Sequence, residues 1–290
     1  MPSNSPTPDP APGTLYVVAT PIGHLEDITL RALNVLRAVD LIAAEDTRHT
    51  RRLLAVHGIQ KRLVSYHEHN ERQRTAELIA KLNQGFHLAL VSNAGTPAVS
   101  DPGFRLVAAA VDQGLTIVPV PGASAAIAAL SVSGLPSDTF TFVGFPARRK
   151  AKRTQQLRQL AELPHTLIFY QSPKRLLAFL EELRAVCGDR RAVLGREMSK
   201  MFEEFLRGRL SEIGTALDRR EEIKGECTLL VSGALQPGPA TEEDLHTALS
   251  MALAEGDRPL SEIAKTLAKR FGLAKKVVYD QALLMRRGET

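Results

Sequence analysis

The chain has 290 residues, of which 44% are hydrophobic and 24% charged, so it is long enough for two domains and its composition excludes a disordered protein. Two cysteines, Cys187 and Cys227, lie far apart without metal-ligand spacing, which excludes a disulfide scaffold and fits a reducing compartment. The net charge of +5 suits a polyanionic partner. No unbroken apolar run approaches the ~20 residues of a membrane span, so we expect a soluble, cytoplasmic protein with no membrane contact.

The first 13 residues contain five prolines, no basic residue and no apolar core. A signal or transit peptide needs basic residues or an apolar stretch. A proline-rich polar segment also buries too little apolar surface to fold. We therefore predict a disordered tail over residues 1–13.

Apolar, strand-like runs alternate with segments of helical spacing through the next hundred residues. The predicted strands are 15–19, 41–44, 63–66, 88–91 and 116–120, and the predicted helices are 28–39, 47–56, 71–82, 104–111 and 123–132. Such alternation predicts βαβ units and a mainly parallel sheet. We assign residues 14–135 to an N-terminal α/β domain.

A second α/β domain is predicted over residues 136–235. It begins with a basic run, 148–158, that holds six basic side chains and no acid. The predicted strands are 166–170, 192–194 and 227–231, and the predicted helices are 174–186 and 211–220.

The last segment, 236–290, is predicted to be a small helical module that follows a linker rich in proline and glycine. Thr241 and Asp244 resemble a capping box before its first helix, and Ser261 is placed to cap the second. Residues 265–287 include seven basic side chains and a single acidic one. The spacing suits a helix-turn-helix whose basic face is either solvated or bound to nucleic acid, and nothing marks base-reading side chains.

Three short loops at the ends of predicted strands carry the clearest functional signal. They are 20–23, 45–48 and 92–103, and they contain glycine, proline and small or charged polar residues. Glycine and small polar residues let a ligand approach the backbone. In open α/β sheets the ligand crevice lies beyond the carboxyl ends of the strands. The three loops together therefore predict a built site.

Several residues in these loops have two interpretations. Asp46 either caps the next helix or is an acid beside a basic stripe that begins at Arg48. Asp101 and Ser124 are open to the same two roles, a helix cap or a group that faces the crevice.

The segment 67–71 contains two histidines without the H-E-x-x-H spacing of a zinc helix, because residue 71 is glutamate. His67 and His69 would share a face on a strand, so a metal site completed by remote ligands stays open as an alternative. We favour no metal, with His69 and Asn70 capping the helix that begins at Glu71 or lining the crevice.

Seven motifs lie in order at 20–23, 45–48, 69–70, 92–103, 121–125, 133–135 and 224–226. Their order resembles that of the tetrapyrrole (corrin/porphyrin) methylase superfamily over residues 14–235 and, within it, the ribosomal RNA small subunit methyltransferase I group. The resemblance implies two α/β domains, S-adenosylmethionine bound in the cleft between them, and a homodimer. It implies methylation of the ribose 2′-hydroxyl of a decoding-centre cytidine in the 16S ribosomal RNA of the small ribosomal subunit.

The resemblance also assigns residues by position. The cofactor contacts would be Pro21, Ile22, Asn93, Ala94, Gly95, Thr96, Gly122, Ser124 and Ala125. The catalytic candidates are Glu45, Asp46, His69, Asp101 and Lys200, with an acid or the histidine as base and Lys200 or Arg48 stabilising the alkoxide. By position, the resemblance gives Arg48, Asn70 and Arg175 as RNA-binding candidates. The basic run and the basic C-terminal module add residues that should hold phosphates: Arg148, Arg149, Lys150, Arg153, Lys275 and Lys276.

This chain departs from the usual pattern of the group at six positions. They are His24, Asn93, Gln171, Lys174, Met198 and Ser199. At Asn93 and Gln171 the group usually has an acid, and an amide keeps an acceptor oxygen but loses the charge. These two changes bear on turnover and leave the predicted fold intact.

Two other functions fit the same motifs. One is a methylase acting on a tetrapyrrole, which would have no need of the basic run and the basic helical module. The other is a non-catalytic RNA-binding or assembly protein that keeps the fold.

Overall fold

A computed structural model describes residues 11–234, 242–254 and 259–287. The chain divides into two compact units, Met1–Ala234 and Leu235–Thr290, which are described separately. Most of the predicted tail, and Thr241 of the predicted capping box, lie outside the described residues. Gly13 lies inside them, and its N–H donates to Leu82 O at 2.7 Å, which ties it to the first domain.

Five parallel strands form the first sheet, in the order β3-β2-β4-β1-β5. They are β1 (Thr14–Val18), β2 (Leu41–Ala44), β3 (Leu63–Ser65), β4 (Leu88–Val91) and β5 (Thr116–Val120). Both β2 and β4 are buried along their whole length, as expected of parallel strands covered on both faces. The predicted parallel sheet is confirmed.

Four helices cover the two faces of this sheet. They are α1 (Leu30–Ala38), α2 (Thr47–Val56), α3 (Glu71–Asn83) and α4 (Phe104–Asp112). Alternate residues of β2 point to opposite faces, so Ile42 packs with α1 and α2 while Leu41 packs with α3 and α4. Thr29 is the N-cap of α1, and its hydroxyl accepts the N–H of Ala32 at 3.0 Å.

The second sheet is mixed and has the order β6-β7-β10-β8-β9. Its strands are β6 (Phe140–Gly144), β7 (Thr166–Gln171), β8 (Arg191–Arg196), β9 (Glu204–Arg209) and β10 (Cys227–Val231). Only the β6–β7 pair is parallel among the described pairs of this sheet. Two strands were not predicted: β6, which has an irregular register near Gly144, and β9, an edge strand that contains three charged residues.

Helices also cover both faces of the second sheet. Three of them, α6 (Lys150–Ala161), α7 (Pro173–Cys187) and α8 (Leu210–Asp218), pack on one face. The opposite face contacts α5 (Ala125–Ser131), which follows the last strand of the first sheet. This helix brings the ends of the two sheets together.

The C-terminal unit contains three helices in its described part: α9 (Glu242–Ala254), α10 (Leu260–Phe271) and α11 (Lys275–Arg287). Leu249, Ala264 and Val278 meet in its core. Ser261 is not a helix cap, contrary to prediction. Pro259 takes that position, and its carbonyl accepts the N–H groups of the first turn.

In the described ranges, no helix combines the length and the apolar character needed to cross a bilayer.

Candidate active site

The loops that follow the parallel strands meet at one edge of the first sheet. The loops that follow the neighbouring strands β1 and β4 are joined by two backbone hydrogen bonds between Thr20 and Gly95, at 2.9 and 3.0 Å. The Thr20 hydroxyl also donates to Ser92 O at 3.2 Å. Gly95 has a φ of +78°, a conformation that favours glycine. Two of the predicted loops thus form one structure.

Glu45 ties the loop after β2 to the same structure. Its Oε2 accepts the N–H of Asn93 at 3.0 Å. The next residue, Asp46, caps α2 as predicted, because its Oδ1 accepts the N–H of Arg48 at 2.8 Å. That hydrogen bond is the main cause of the lowered pKa of Asp46. The loops after β1, β2 and β4 are therefore brought together.

Two loops hold non-glycine residues in the left-handed backbone region. Ala98 and Ser100, after β4, have φ values of +67° and +63°. Glu197 and Ser199, after β8, have φ values of +50° and +59°. Such conformations cost of order 1–3 kcal/mol each and persist where the surroundings impose them, often at functional sites.

A first cavity of about 380 Å³ opens between these loops and the carboxyl end of β7. Its lining comes from both α/β domains. The first domain contributes Ile22, Glu45, Asn93, Ala94, Gly95, Thr96, Val99, Asp101, Ser124 and Ala125, and the second contributes Phe145, Tyr170, Gln171, Ser172, Pro173, Gly225, Glu226, Cys227 and Thr228. A cavity of this size between two domains is typical of a small-molecule site.

Asp101 is the carboxyl of the first cavity whose ionisation the fold changes most. Burial raises the pKa of Asp101 to about 7, and the negative charges of Glu45 and Glu226 add to the rise. At neutral pH such a carboxyl is present in both forms, and its anion accepts a proton more readily than an ordinary carboxylate. The cavity therefore contains a group suited to proton transfer.

A second cavity of about 480 Å³ adjoins the first. Its lining is Pro21, Ile22, Gly23, Leu25, Asp46, His49, Arg52, Leu53, Val56, Asn93, Ala94, Lys200 and Glu226. Four of these residues, Ile22, Asn93, Ala94 and Glu226, line both cavities and form their shared wall. A third cavity, of about 470 Å³, shares Ile22 and Ser124 with the first.

Lys200 is held at the second cavity by two carboxylates. Its Nζ donates to Glu197 Oε1 at 2.8 Å and to Glu226 Oε2 at 3.0 Å. Burial works against its charge, but these hydrogen bonds prevail and raise the pKa of Lys200. The chain at Gly23 passes so close that an added Cβ would lie 2.5 Å from Lys200 Cγ. Lys200 is thus a fixed cation.

The structure places most of the predicted cofactor residues in one cavity. Seven line the first cavity: Ile22, Asn93, Ala94, Gly95, Thr96, Ser124 and Ala125. Pro21 lines the second cavity instead. Gly122 lines none of the described cavities. It follows β5 and passes close to Ala19, whose Cβ would lie 3.0 Å from a Cβ at residue 122.

The five catalytic candidates are divided between the cavities. Glu45 and Asp101 line the first, and Asp46 and Lys200 line the second. His69 lines neither, and its ring contacts that of His67 edge-on at 5.9 Å. The segment that holds both histidines is a turn and not a strand. No group of three or more metal-binding side chains occurs in the part of the chain that the structure describes.

The predicted cap at Asn70 is wrong. Asn70 occupies the N-cap position of α3, but its side chain turns back along the chain. Its Oδ1 accepts the N–H of His67 at 2.9 Å, and its Nδ2 donates to Ser65 Oγ at 3.0 Å. Glu71 instead donates its N–H to the His67 carbonyl. Asn70 shapes the turn.

Ser124 occupies the N-cap position of α5, but its side chain makes no capping hydrogen bond. The hydroxyl of Tyr170 takes that role, because it accepts the N–H of Ala126 at 3.3 Å. The cap is therefore supplied by the second domain. Ser124 is left facing the first cavity, which was the other interpretation of this residue.

The predicted RNA-binding residues differ in their availability. Arg148, Arg149 and Lys150 are exposed where α6 begins, and Arg48, Arg175, Lys275 and Lys276 are also exposed. Arg153 is engaged within the domain, since its Nε donates to Glu182 Oε2 at 2.6 Å and its guanidinium also donates to two backbone carbonyls. Arg153 therefore fastens α6 to α7.

Several residues that line the first cavity had no predicted role. Among them are Phe145, Tyr170, Glu226 and Thr228 from the second domain, and of these four only Glu226 lies in one of the sequence motifs, 224–226. The signal that could have found them is their position, since each lies at or beside the end of a strand. The ring of Tyr170 also packs edge-on against Phe145, with centroids 5.6 Å apart.

The fold matches that of known proteins. The family of tetrapyrrole (corrin/porphyrin) methylases matches residues 14–214. A cobalt precorrin-4 methyltransferase superposes with a TM-score of 0.58 at 18% identity, covering 77% of this chain and 96% of that one. A uroporphyrin-III C-methyl transferase from Thermus thermophilus, complexed with S-adenyl homocysteine, superposes with a TM-score of 0.54 at 21% identity, covering 75% and 97%. These likenesses confirm the predicted fold class.

Curated relatives are similar over nearly the whole length. Ribosomal RNA small subunit methyltransferase I of Pseudomonas aeruginosa is 48% identical over 285 residues, covering 96% of this chain and 99% of that protein. The protein of the same name from Micromonospora olivasterospora is 45% identical, covering 94% and 87%. The chain therefore belongs to the tetrapyrrole methylases and, among them, to the ribosomal RNA small subunit methyltransferase I family.

Proposed function

We propose that this protein transfers a methyl group from S-adenosylmethionine to the ribose 2′-hydroxyl of a cytidine in the 16S ribosomal RNA of the small subunit. Membership of the ribosomal RNA methyltransferase family supports the reaction class. The observation that carries the proposal is the pair of adjoining cavities. One contains a carboxyl suited to proton transfer, and the other is lined by the cationic side chains of Arg52 and Lys200.

The first cavity fits S-adenosylmethionine. Asn93 Oδ1 is buried there without a hydrogen-bond partner among the described residues, which costs about 1–3 kcal/mol unless a ligand donates to it. S-adenosylmethionine has amino and hydroxyl donors that suit such an acceptor. The residues that would hold it are Ile22, Asn93, Ala94, Gly95, Thr96, Ser124, Ala125 and Tyr170. When bound, it supplies an electrophilic methyl group carried on a positively charged sulfur.

The second cavity suits the RNA. Arg52 is a cation at its wall, and a phosphate backbone is attracted to such a group. Lys200 is a second cation there, although Glu197 and Glu226 already pair with it. Because the two cavities share a wall, a ribose at that wall would lie beside the methyl donor. Alignment of this kind contributes about 7–11 kcal/mol to catalysis. Alignment at two adjoining sites is thus the main source of rate in this proposal.

Asp101 is the base in this proposal. It accepts the proton of the 2′-hydroxyl as the oxygen attacks, and its pKa of about 7 matches that task. Asp46 is a poorer candidate, because its pKa is lowered and one of its oxygens already caps α2. Lys200 stabilises the negative charge that develops on the oxygen. Glu197 and Glu226 hold Lys200 in place.

The exposed basic residues extend the RNA contact in the same proposal. Arg149 and Lys150 at the start of α6 would bind phosphates, as would Arg175, whose Nε donates to Ser172 Oγ at the first cavity. Lys275, on the C-terminal unit, would add a further phosphate contact. We also propose a cytoplasmic homodimer, in line with the family resemblance.

The test is methyl transfer from radiolabelled S-adenosylmethionine to small ribosomal subunits that lack this modification, followed by mass analysis of the nucleosides. We expect 2′-O-methylcytidine. Cofactor binding without transfer to RNA would direct the search to another acceptor, including a tetrapyrrole. Absence of both transfer and cofactor binding would support a non-catalytic RNA-binding protein.

A further inference from the structure

The second cavity has apolar, cationic and anionic parts in its lining, the anionic part coming from Asp46 and Glu226. Leu25, Leu53 and Val56 present apolar side chains, and Arg52 and Lys200 present cations. A phosphate chain needs only the cations. An apolar wall beside them suits a group that is flat, weakly polar and attached to a phosphate, which describes a nucleobase.

The position of the reacting ribose restricts where its base can go. In the proposed function the 2′-hydroxyl lies at the wall that Ile22, Asn93 and Ala94 form between the cavities. The cosubstrate occupies the first cavity. The base attached to that ribose therefore has the second cavity as its space, with Leu25 and Val56 beside it.

We propose that the acceptor cytidine leaves its base stack and inserts its base into the second cavity, against Leu25, Leu53 and Val56, with Arg52 on its phosphate. The inference rests on the proposed function and adds the position of the base to it. Unstacking a base costs a few kcal/mol, and burial against an apolar wall offsets that cost. The occupant is a pyrimidine nucleotide of the RNA substrate.

Asp46 gives this cavity a means of choosing cytosine. One of its oxygens accepts the N–H of Arg48, and a carboxylate can accept further hydrogen bonds. Cytosine presents an amino group at the position where uracil presents a carbonyl oxygen. A carboxylate accepts from the amino group and repels the carbonyl oxygen, so Asp46 is assigned as the residue that discriminates between them.

The first experiment fills the second cavity from its exposed rim. Leu25 and Val56 are 42% and 62% exposed, so Leu25→Trp and Val56→Trp add bulk without disturbing the core. Val111→Trp is the matched control, because Val111 is also 62% exposed and lines none of the described cavities. Methyl transfer to unmodified small subunits and the Kd for S-adenosylmethionine are measured for each variant.

We expect the two filled variants to transfer methyl groups at least about tenfold more slowly, because a displaced reacting group loses alignment. Their Kd for S-adenosylmethionine should stay within about twofold of the unsubstituted protein, as should both readouts for Val111→Trp. Normal transfer by both filled variants would overturn the base-insertion inference alone. Weakened cosubstrate binding would overturn it too, because the cavity would then hold the cosubstrate. Absence of transfer by the unsubstituted protein would instead overturn the proposed function.

The second experiment tests base choice with Asp46→Asn. Asparagine is an equally good N-cap, so α2 should keep its start. Its amide can donate to a uracil oxygen. Subunits that carry cytidine or uridine at the acceptor position are compared, and the preference for cytidine should fall about tenfold. An unchanged preference would remove the discriminating role from Asp46.

Discussion

Replacing Asp101 with asparagine should separate the chemical role of this carboxyl from its effect on stability. Asparagine has nearly the same shape and keeps an acceptor oxygen, but it takes up no proton and carries no charge. Because Asp101 has a pKa of about 7 in the folded protein, the substitution should act in opposite directions on activity and on stability.

The effect on activity follows from the protonation of the base. In the unsubstituted protein, kcat/KM should fall about tenfold for each pH unit below about pH 7, because only the ionised carboxyl accepts a proton. The Asp101→Asn variant should lose about 10²–10⁴-fold in rate at pH 8 and should no longer show this decline.

The effect on stability has the opposite sign. A pKa of about 7 in place of the ordinary 3.8 corresponds to about 4 kcal/mol against the charged form. Asp101 is only partly buried, so solvent screening reduces this to about 1–2 kcal/mol. Its raised pKa favours the folded state below pH 4, and that contribution is lost as the pH rises to about 7. Asp101→Asn should therefore stabilise the protein at pH 8 and leave it unchanged near pH 4.

Initial rates across this pH range and thermal unfolding at both ends of it measure the two effects. Asp112→Asn is the control, because Asp112 is exposed at the end of α4 and lines none of the described cavities. Two results would refute the reasoning: an unaltered pH profile in the Asp101→Asn variant, or no gain in its stability at pH 8.

Four further substitutions test other parts of the protein. Asn93→Asp should tighten S-adenosylmethionine binding about tenfold by calorimetry, because a carboxylate attracts the positive sulfur; weaker binding would contradict the assigned contact. Gly23→Ala should lower the free energy of unfolding by about 1–3 kcal/mol in chemical denaturation, since its Cβ would lie 2.5 Å from Lys200 Cγ; an unchanged midpoint would show that the loop yields. Arg149→Ala should weaken RNA binding, reduce the slope of log K against log salt concentration by about 1 and leave stability unchanged. Arg153→Ala should instead lower the free energy of unfolding by about 1–2 kcal/mol, because it leaves the partly buried carboxylate of Glu182 without its ion pair. Loss of stability in Arg149→Ala with loss of RNA binding in Arg153→Ala would contradict these two roles.

The first sheet could be predicted because its signals are local. Its strands β2 and β4 are short apolar runs buried on both faces, and loops with a distinct composition follow them. Parallel strands end at a common edge, so the meeting of those loops followed from the strand type alone. The position of β1 between β4 and β5 did not follow, because chain order does not fix which strands are neighbours.

The second domain's part of the site was harder to predict. Tyr170, in β7, and Glu226, directly before β10, lie far along the chain, and no local pattern links them to Asn93 or Asp101. The same separation explains why the sequence left two roles open for Ser124. A sequence shows which residue stands before a helix, but a hydroxyl from another domain can satisfy that helix instead.

The four left-handed, non-glycine residues bear on how this enzyme could be engineered. Replacing one of these residues with glycine would relieve roughly 1 kcal/mol of strain, but it would cost a similar free energy through the backbone entropy lost on folding. The net effect on thermal stability would therefore be close to zero. Ser199 Oγ, however, accepts the N–H of His24 from the other domain at 3.1 Å, and Ser100 Oγ fills the space beside Gly144. These side chains link the two domains. Libraries screened only for heat resistance would therefore tolerate glycine there, and the resulting proteins would keep their heat resistance but lose these contacts between the domains.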